Sequence, residues 1–265
     1  DRRYSVVLSG VPTAPANQVD ERFAELSALK TADNKPANLA QLDRRARDDT
    51  ALLEELLRAD GYYDSNITPR IEAVGDRIVV TLTVEPGPLY SFDSITVTGL
   101  DENGALRQTF SIAPSDTVDA DNVTRAETDL RLKLANEGFP FAKVEEPEVV
   151  IDHDTRTASL SMSVETGGKR SFGKIISAGE KQPFNAAHIA DIARFKPGEE
   201  YNLADIDDLK RAIIATGLVS SVSVDTREGV APGTVDMVVT TTPAPVRTVA
   251  AEAGYGTGEG FRLSA

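Results

Sequence analysis

Three stretches of this 265-residue chain end a helical pattern in the same way. LLRADGYYDSNI, LANEGFPFAKV and IATGLVSSVSV each pass through a glycine to a bulky apolar residue and then to a strand-like alternation. The glycines are Gly61, Gly138 and Gly217, spaced 77 and 79 residues apart. Leu53, Leu130 and Leu209 precede them by eight residues, and Leu57, Leu134 and Ile213 by four. Spacing of four puts both side chains on one helix face. Tyr62, Phe139 and Leu218 follow directly. The pattern predicts a helix closed by glycine in a left-handed cap, with the next apolar residue folding back onto the last turn. A chain that repeats such a unit three times is built as an array.

The strands repeat with the helix ends. RIVVTLTVEPG, TASLSMSVETG and GTVDMVVTTTP alternate, with Val80, Leu82 and Val84, then Leu160, Met162 and Val164, then Val235, Met237 and Val239 on one side. Period-two alternation predicts a sheet with one buried and one wet face. Each unit opens on a strand: YSVVLSGV, SFDSITVTGL, SFGKIISAG. A second helical stretch follows each opening strand: VDERFAELSALKTA, a shorter piece around ENGALRQTF, and NAAHIADIARF. Each unit therefore reads β-α-α-β-β over about 75–80 residues, an α+β fold with a three-stranded mixed sheet and both helices on one face. The junctions EPGPLY and ETGGKR read as short hinges.

Composition narrows the function. The net charge of −14 opposes nucleic acid and anionic membrane surfaces. The absence of cysteine excludes disulfides, thiol catalysis and sulfur-based zinc sites. No stretch approaches the roughly 20 apolar residues of a membrane helix, and nothing resembles a signal peptide, so the expectation is a cytosolic protein or one whose targeting segment has been removed.

The repeated β-α-α-β-β unit with its helix–Gly–aromatic signature resembles polypeptide-transport-associated (POTRA) domains. The tail GYGTGEGFRLSA after it resembles the first barrel strand of Omp85-type outer-membrane proteins. The likeness covers the whole chain: residues 1–88, 89–168 and 169–243 as three POTRA domains, and 244–265 as the truncated start of the barrel. Three units are most similar to the outer-membrane subunit of the translocation and assembly module; barrel-assembly and two-partner secretion arms are the other subtypes. The resemblance implies a periplasmic arm attached to the outer membrane through the barrel, without catalytic residues or cofactors. It implies an inner-membrane-anchored TamB-like partner and unfolded outer-membrane clients, autotransporters among them, which the protein helps to insert.

Such a unit binds by adding a client strand to a sheet edge. The last strand is expected in the middle of each sheet, leaving the first two at the edges. Proline is confined to edges and bulges, and Pro69 and Pro147 fall in the second strands of units one and two. Unit three has none there, so Val219–Thr226, with Val219, Val222 and Val224, is the freer edge. In unit one Ile67 and Ile71 mark the edge expected to meet the inner-membrane partner. A passive spacer between the barrel and other machinery is the alternative from a different class.

Other features read more plainly. His153, in IDHDTRT, is a hairpin-turn residue; Asp152, His153 and Asp154 lack the EF-hand glycine and glutamate that a calcium loop needs. His188 lies on a short helix, at the surface or half-buried. No GxSxG elbow accompanies either histidine. DRRARDD, residues 43–49, is a solvated helix face. Of Tyr62 and Tyr63, one anchors the core and the other is half exposed. The glycine tail lacks the helix that a phosphate loop requires. Instead Val249, Ala251, Ala253 and Tyr255 alternate like a membrane strand, expected here to be disordered or to pair with a sheet edge.

Overall fold

The computed structural model describes residues 2–13, 19–33, 35–179, 181–245, 252–256 and 260–264, the last two stretches as backbone. Two compact units emerge, residues 1–133 with 142–166, and residues 134–141 with 167–265.

In the first unit β1 (Arg2–Ser9) runs parallel to β4 (Arg77–Glu85), and β4 pairs antiparallel with β3 (Asn66–Val74). The last strand stands between the first and the second, as expected. A two-residue strand β2 (Pro36–Ala37) covers the start of β1, Arg2 opposite Ala37, so that edge is partly closed and this sheet has four strands instead of three. The second sheet repeats the order, with β8 (Thr157–Glu165) parallel to β5 (Ser91–Thr98) and antiparallel to both β6 (Lys143–Val144) and β7 (Glu148–Asp152). Pro147 lies in the gap between β6 and β7 and not within a strand. Without an N–H it cannot extend the ladder, and the strand splits there.

The helix read as VDERFAELSALKTA is two helices, α1 (Val19–Leu26) and α2 (Ala28–Thr31). Ser27 divides them and caps α2, its oxygen accepting from the Lys30 N–H at 2.9 Å. Behind this break α3 (Leu39–Ala59) crosses the sheet, opened by a capping box between Asn38 and Gln41. Asp49 on α3 is buried. It accepts from the Ser27 hydroxyl and from the N–H groups of Ala28 and Leu29 at 2.8 and 3.1 Å. DRRARDD is therefore solvated except for Ala46 and Asp49, which face inward, and Arg45, which is half-buried and donates to the Tyr4 hydroxyl at 3.3 Å.

The core of the first repeat joins Phe23, Leu29, Leu42, Leu53 and Leu57 to Val80, Leu82 and Val84. In the second repeat α4 (Ala105–Thr109) and α5 (Ala120–Asn136) lie between the opening strand and β6. Leu130, Leu134, Leu160, Met162 and Val164 are all buried.

In the second unit β11 (Thr234–Pro243) stands between β9 (Ser171–Ala178), parallel, and β10 (Val219–Glu228), antiparallel. Helices α6 (Ala186–Ile192) and α7 (Leu203–Ala215) pack Ile189, Leu209 and Ile213 against Phe172, Val235, Met237 and Val239. Of the tail, β12 (Glu252–Gly256) pairs antiparallel with β13 (Gly260–Ser264), Tyr255 opposite Phe261. These strands pair with each other and not with a sheet edge; residues 248–251 of the expected barrel strand lie outside the described residues.

Candidate interaction surface

All three glycines adopt the left-handed conformation, with φ of +94°, +90° and +71° at Gly61, Gly138 and Gly217. In the first two caps the following aromatic folds back: the Tyr62 N–H donates to the Leu57 carbonyl at 2.8 Å, and the Phe139 N–H to Leu134 at 3.1 Å. The third departs from this. The Leu218 N–H reaches the Thr216 hydroxyl, and Leu218 is 56% exposed where Tyr62 is 6%.

Beyond the cap, each of the first two glycines receives an N–H bond from the residue that opens the next repeat. The Tyr90 N–H donates to the Gly61 carbonyl at 2.9 Å and the Arg170 N–H to the Gly138 carbonyl at 2.8 Å. The opening residue's own carbonyl then accepts from Val118 or Tyr201, at 3.0 Å in both cases. The junctions read as hinges are thus bolted by a repeated pair of backbone bonds, each pair lying within one compact unit.

The side chains at the two bolts differ. At the first, the Tyr90 hydroxyl donates to Asp64 at 2.8 Å, and His153 Nδ1 lies 2.8 Å from Asp64 and 3.0 Å from the Tyr90 hydroxyl. The bond from Tyr90, then that with His153, holds the Asp64 carboxyl below the usual carboxylate range. Burial, then the bond to Asp64, pushes the Tyr90 phenol up to about 12. His153 does occupy the turn between β7 and β8, but it also ties that hairpin to the first repeat. At the second bolt Lys169 and Arg170 lie over the rings of Phe139 and Phe141, both at 5.6 Å, and pair with Glu200 and Glu228.

The expected edges are placed as follows. β3 ends its sheet with Pro69 within it; Ile67 is buried and Ile71 is half-buried, both against the core. β10 ends its sheet too, Val219 buried and Val222 and Val224 half-buried against the core, with Ser221, Ser223 and Asp225 outward. An incoming strand would meet the backbone of β10, with its apolar side chains already spent inside. Tyr62 anchors the core and Tyr63 is half-buried against Tyr90. His188 is exposed on α6. Among the described residues no three acidic or histidine side chains gather as metal ligands, and no helix is long and apolar enough to cross a membrane.

Residues 90–167 match the POTRA family, described as a surface antigen variable number repeat. The crystal structure of Haemophilus influenzae BamA POTRA3-5 superposes with a TM-score of 0.54 at 17% identity, over 91% of this chain and 96% of that one. The chain has the fold of tandem POTRA domains. Haemophilus ducreyi BamA lacking POTRA domains 1-3 follows at 16% identity and a TM-score of 0.49, over 65% of this chain and 33% of its own. CdiB from Escherichia coli, at 17% identity and a TM-score of 0.29, is covered over 36% of its length. The chain thus spans about a third of these two longer proteins. No curated protein matches the chain.

Proposed function

We propose that the three POTRA folds are the periplasmic arm of an Omp85-type outer-membrane assembly or translocation protein, binding client or partner polypeptides by strand addition. The observation that carries this is the order of the third sheet, β10-β11-β9, which leaves β10 at an end without proline along its length. Residues 1–88, 89–168 and 169–243 are the three domains, and 244–265 begins the barrel. The subtype is TamA-like. Unit one, through the β3 edge at Ile67 and Ile71, meets an inner-membrane-anchored TamB-like partner, while β10 receives unfolded outer-membrane clients, autotransporters included. The chemistry is non-enzymatic.

The test places proline in turn at Val222, Ser223 and Val224, because of two successive strand residues one has its N–H outward. Binding of an extended client peptide is then followed in variants whose circular dichroism is unchanged. The outward position should abolish binding; unchanged binding in all three overturns strand addition at β10. The bolted junctions favour a second reading, a stiff spacer, which gains if no repeat binds any peptide and function tracks arm length alone.

A further inference from the structure

One face of the POTRA fold is used twice within this chain and, among the described residues, stands open a third time. In the second repeat it carries the end of the first: a Cβ on Gly61 would lie 2.9 Å from the Val118 carbonyl and 3.2 Å from Thr117, and Asp64 meets His153. In the third repeat the same face carries residues 136–141. There Gly138 packs beside Glu200, the Asn136 side chain accepts from the Ala204 N–H at 3.2 Å, and Phe141 joins the core with Leu203.

Strand pairing identifies the matching positions in the first repeat. Ser91 bridges Thr117 and Ser171 bridges Glu200, as Arg3 pairs with Pro36. Hence Ala37 takes the place of Val118 and Tyr201, and Arg2 that of Tyr90 and Arg170. Likewise Phe92 opposite Ala158 and Phe172 opposite Val235 match Tyr4 opposite Ile78. The next positions, Asn38, Asp119 and Asn202, all accept from an N–H in the first turn of the helix that follows.

On the first repeat this face is a groove of about 440 Å³, lined by Ala37, Leu39, Ile71 and Ile78, with Glu72 among its walls. Leu39 is 65% exposed. Its counterpart Leu203 packs partly buried in the core cluster that Phe141 joins. The face is built alike in both places, and the difference is the cover.

We propose that this groove is a socket for the capped end of a helix from a partner protein: a helix closed by a left-handed glycine, with an apolar residue three positions beyond, as Phe141 stands beyond Gly138. The same interface repeated inside the chain argues for that occupant. The apolar lining at Leu39, Ile71 and Ile78 selects a Phe141-like residue over the Asp64-like one that His153 receives. This mode goes beyond strand addition and does not depend on it, since a helix end contributes a cap and a side chain where an added strand contributes a ladder.

The probe is a synthetic peptide of residues 120–142, stapled between positions 128 and 132, both exposed, because isolated helices of this length are marginal. It is titrated into the full 265-residue chain while backbone amide shifts are followed by NMR. Shifts are expected at Ala37, Leu39, Ile71 and Ile78. The Leu39→Asp chain, or a probe carrying Phe141→Ala, should bind about tenfold more weakly or worse. Leu39 opens α3, where an acidic residue suits the helix dipole, so the variant keeps its fold, checked by circular dichroism. Absence of shifts at the groove, equal affinity for Leu39→Asp, or shifts confined to Glu200, Tyr201 and Leu203, where the chain's own copy sits, would each overturn the proposal. An extended client peptide in a parallel sample reports on β10 separately, so failure of strand addition and failure of the socket are read apart.

Discussion

Asp49 shows how a single side chain decides a local shape. A carboxylate in a core is costly unless its oxygens are bonded. Here it is bonded three times, to the Ser27 hydroxyl and two N–H groups at the start of α2. Negative charge at a helix start is favourable, and the orphan amides there need acceptors. Asp49→Ala should destabilise the protein by roughly 2–4 kcal/mol, since buried donors lose a charged acceptor. Asp49→Asn, which keeps an acceptor, should cost less. Urea unfolding followed by circular dichroism measures both; equal small losses would show that water replaces the carboxylate. The sequence did not reveal this role, because DRRARDD has the composition of a solvated face and Ser27 lies 22 residues away. The apolar periodicity was legible: Leu53, Leu57, Leu130, Leu134, Leu209 and Ile213 are all buried where the four-residue spacing puts them.

At the scale of the helix end, three sequence-similar glycines carry different loads. All need positive φ, which an L side chain adopts at a cost of roughly 1–2 kcal/mol. The surroundings then separate them. A Cβ at Gly217 meets open space, one at Gly138 meets the movable side chain of Glu200 at 3.1 Å, and one at Gly61 meets the Val118 backbone carbonyl at 2.9 Å. Gly217→Ala should therefore cost about the conformational term alone, and Gly138→Ala slightly more. Gly61→Ala should cost the most, roughly 3 kcal/mol with overpacking added. Thermal unfolding of the three variants gives the order, and an equal loss at all three would reduce the bolts to incidental contacts. The glycine signature was readable because the cap is local in sequence. The difference at Leu218 was not, since it depends on the Thr216 hydroxyl capturing an N–H that the other two helix ends give to a carbonyl. Pro147 is where the sequence pattern and the ladder part: the inward positions change phase across it, from Val144 to Val149 and Ile151, and the missing N–H splits the strand in two.

At the scale of the first compact unit, the bolt between the first and second repeats joins residues no local pattern connects: Asp64, Tyr90 and His153 are separated by 26 and 63 positions. Its titrating groups set the pH window over which the joint holds. Asp64 ionises at lower pH in the folded chain than when unfolded, so its contribution is present above the usual carboxylate range and is lost as pH falls through the depressed value. The Tyr90 phenol ionises at higher pH when folded, about 12, so its contribution is complete below the ordinary phenol range near 10 and drains away as pH climbs from there. The joint should therefore hold from mildly acidic pH to about 10 and loosen outside that window. Asp64→Asn removes the acid limb, because an amide does not titrate. It should lower the Tyr90 ionisation only partly, since burial is the larger cause of the shift. Tyr90→Phe removes this residue's share of the alkaline limb and leaves the backbone bond to Gly61 in place. Absorbance titration of the six tyrosines, compared between the native chain and each variant, reads the phenol directly. Limited proteolysis across residues 85–90 reads the joint. If Tyr90→Phe leaves the alkaline absorbance curve unchanged, or if cleavage follows the same pH course in all three proteins, the cluster does not govern the joint and the backbone bonds alone hold the two repeats together.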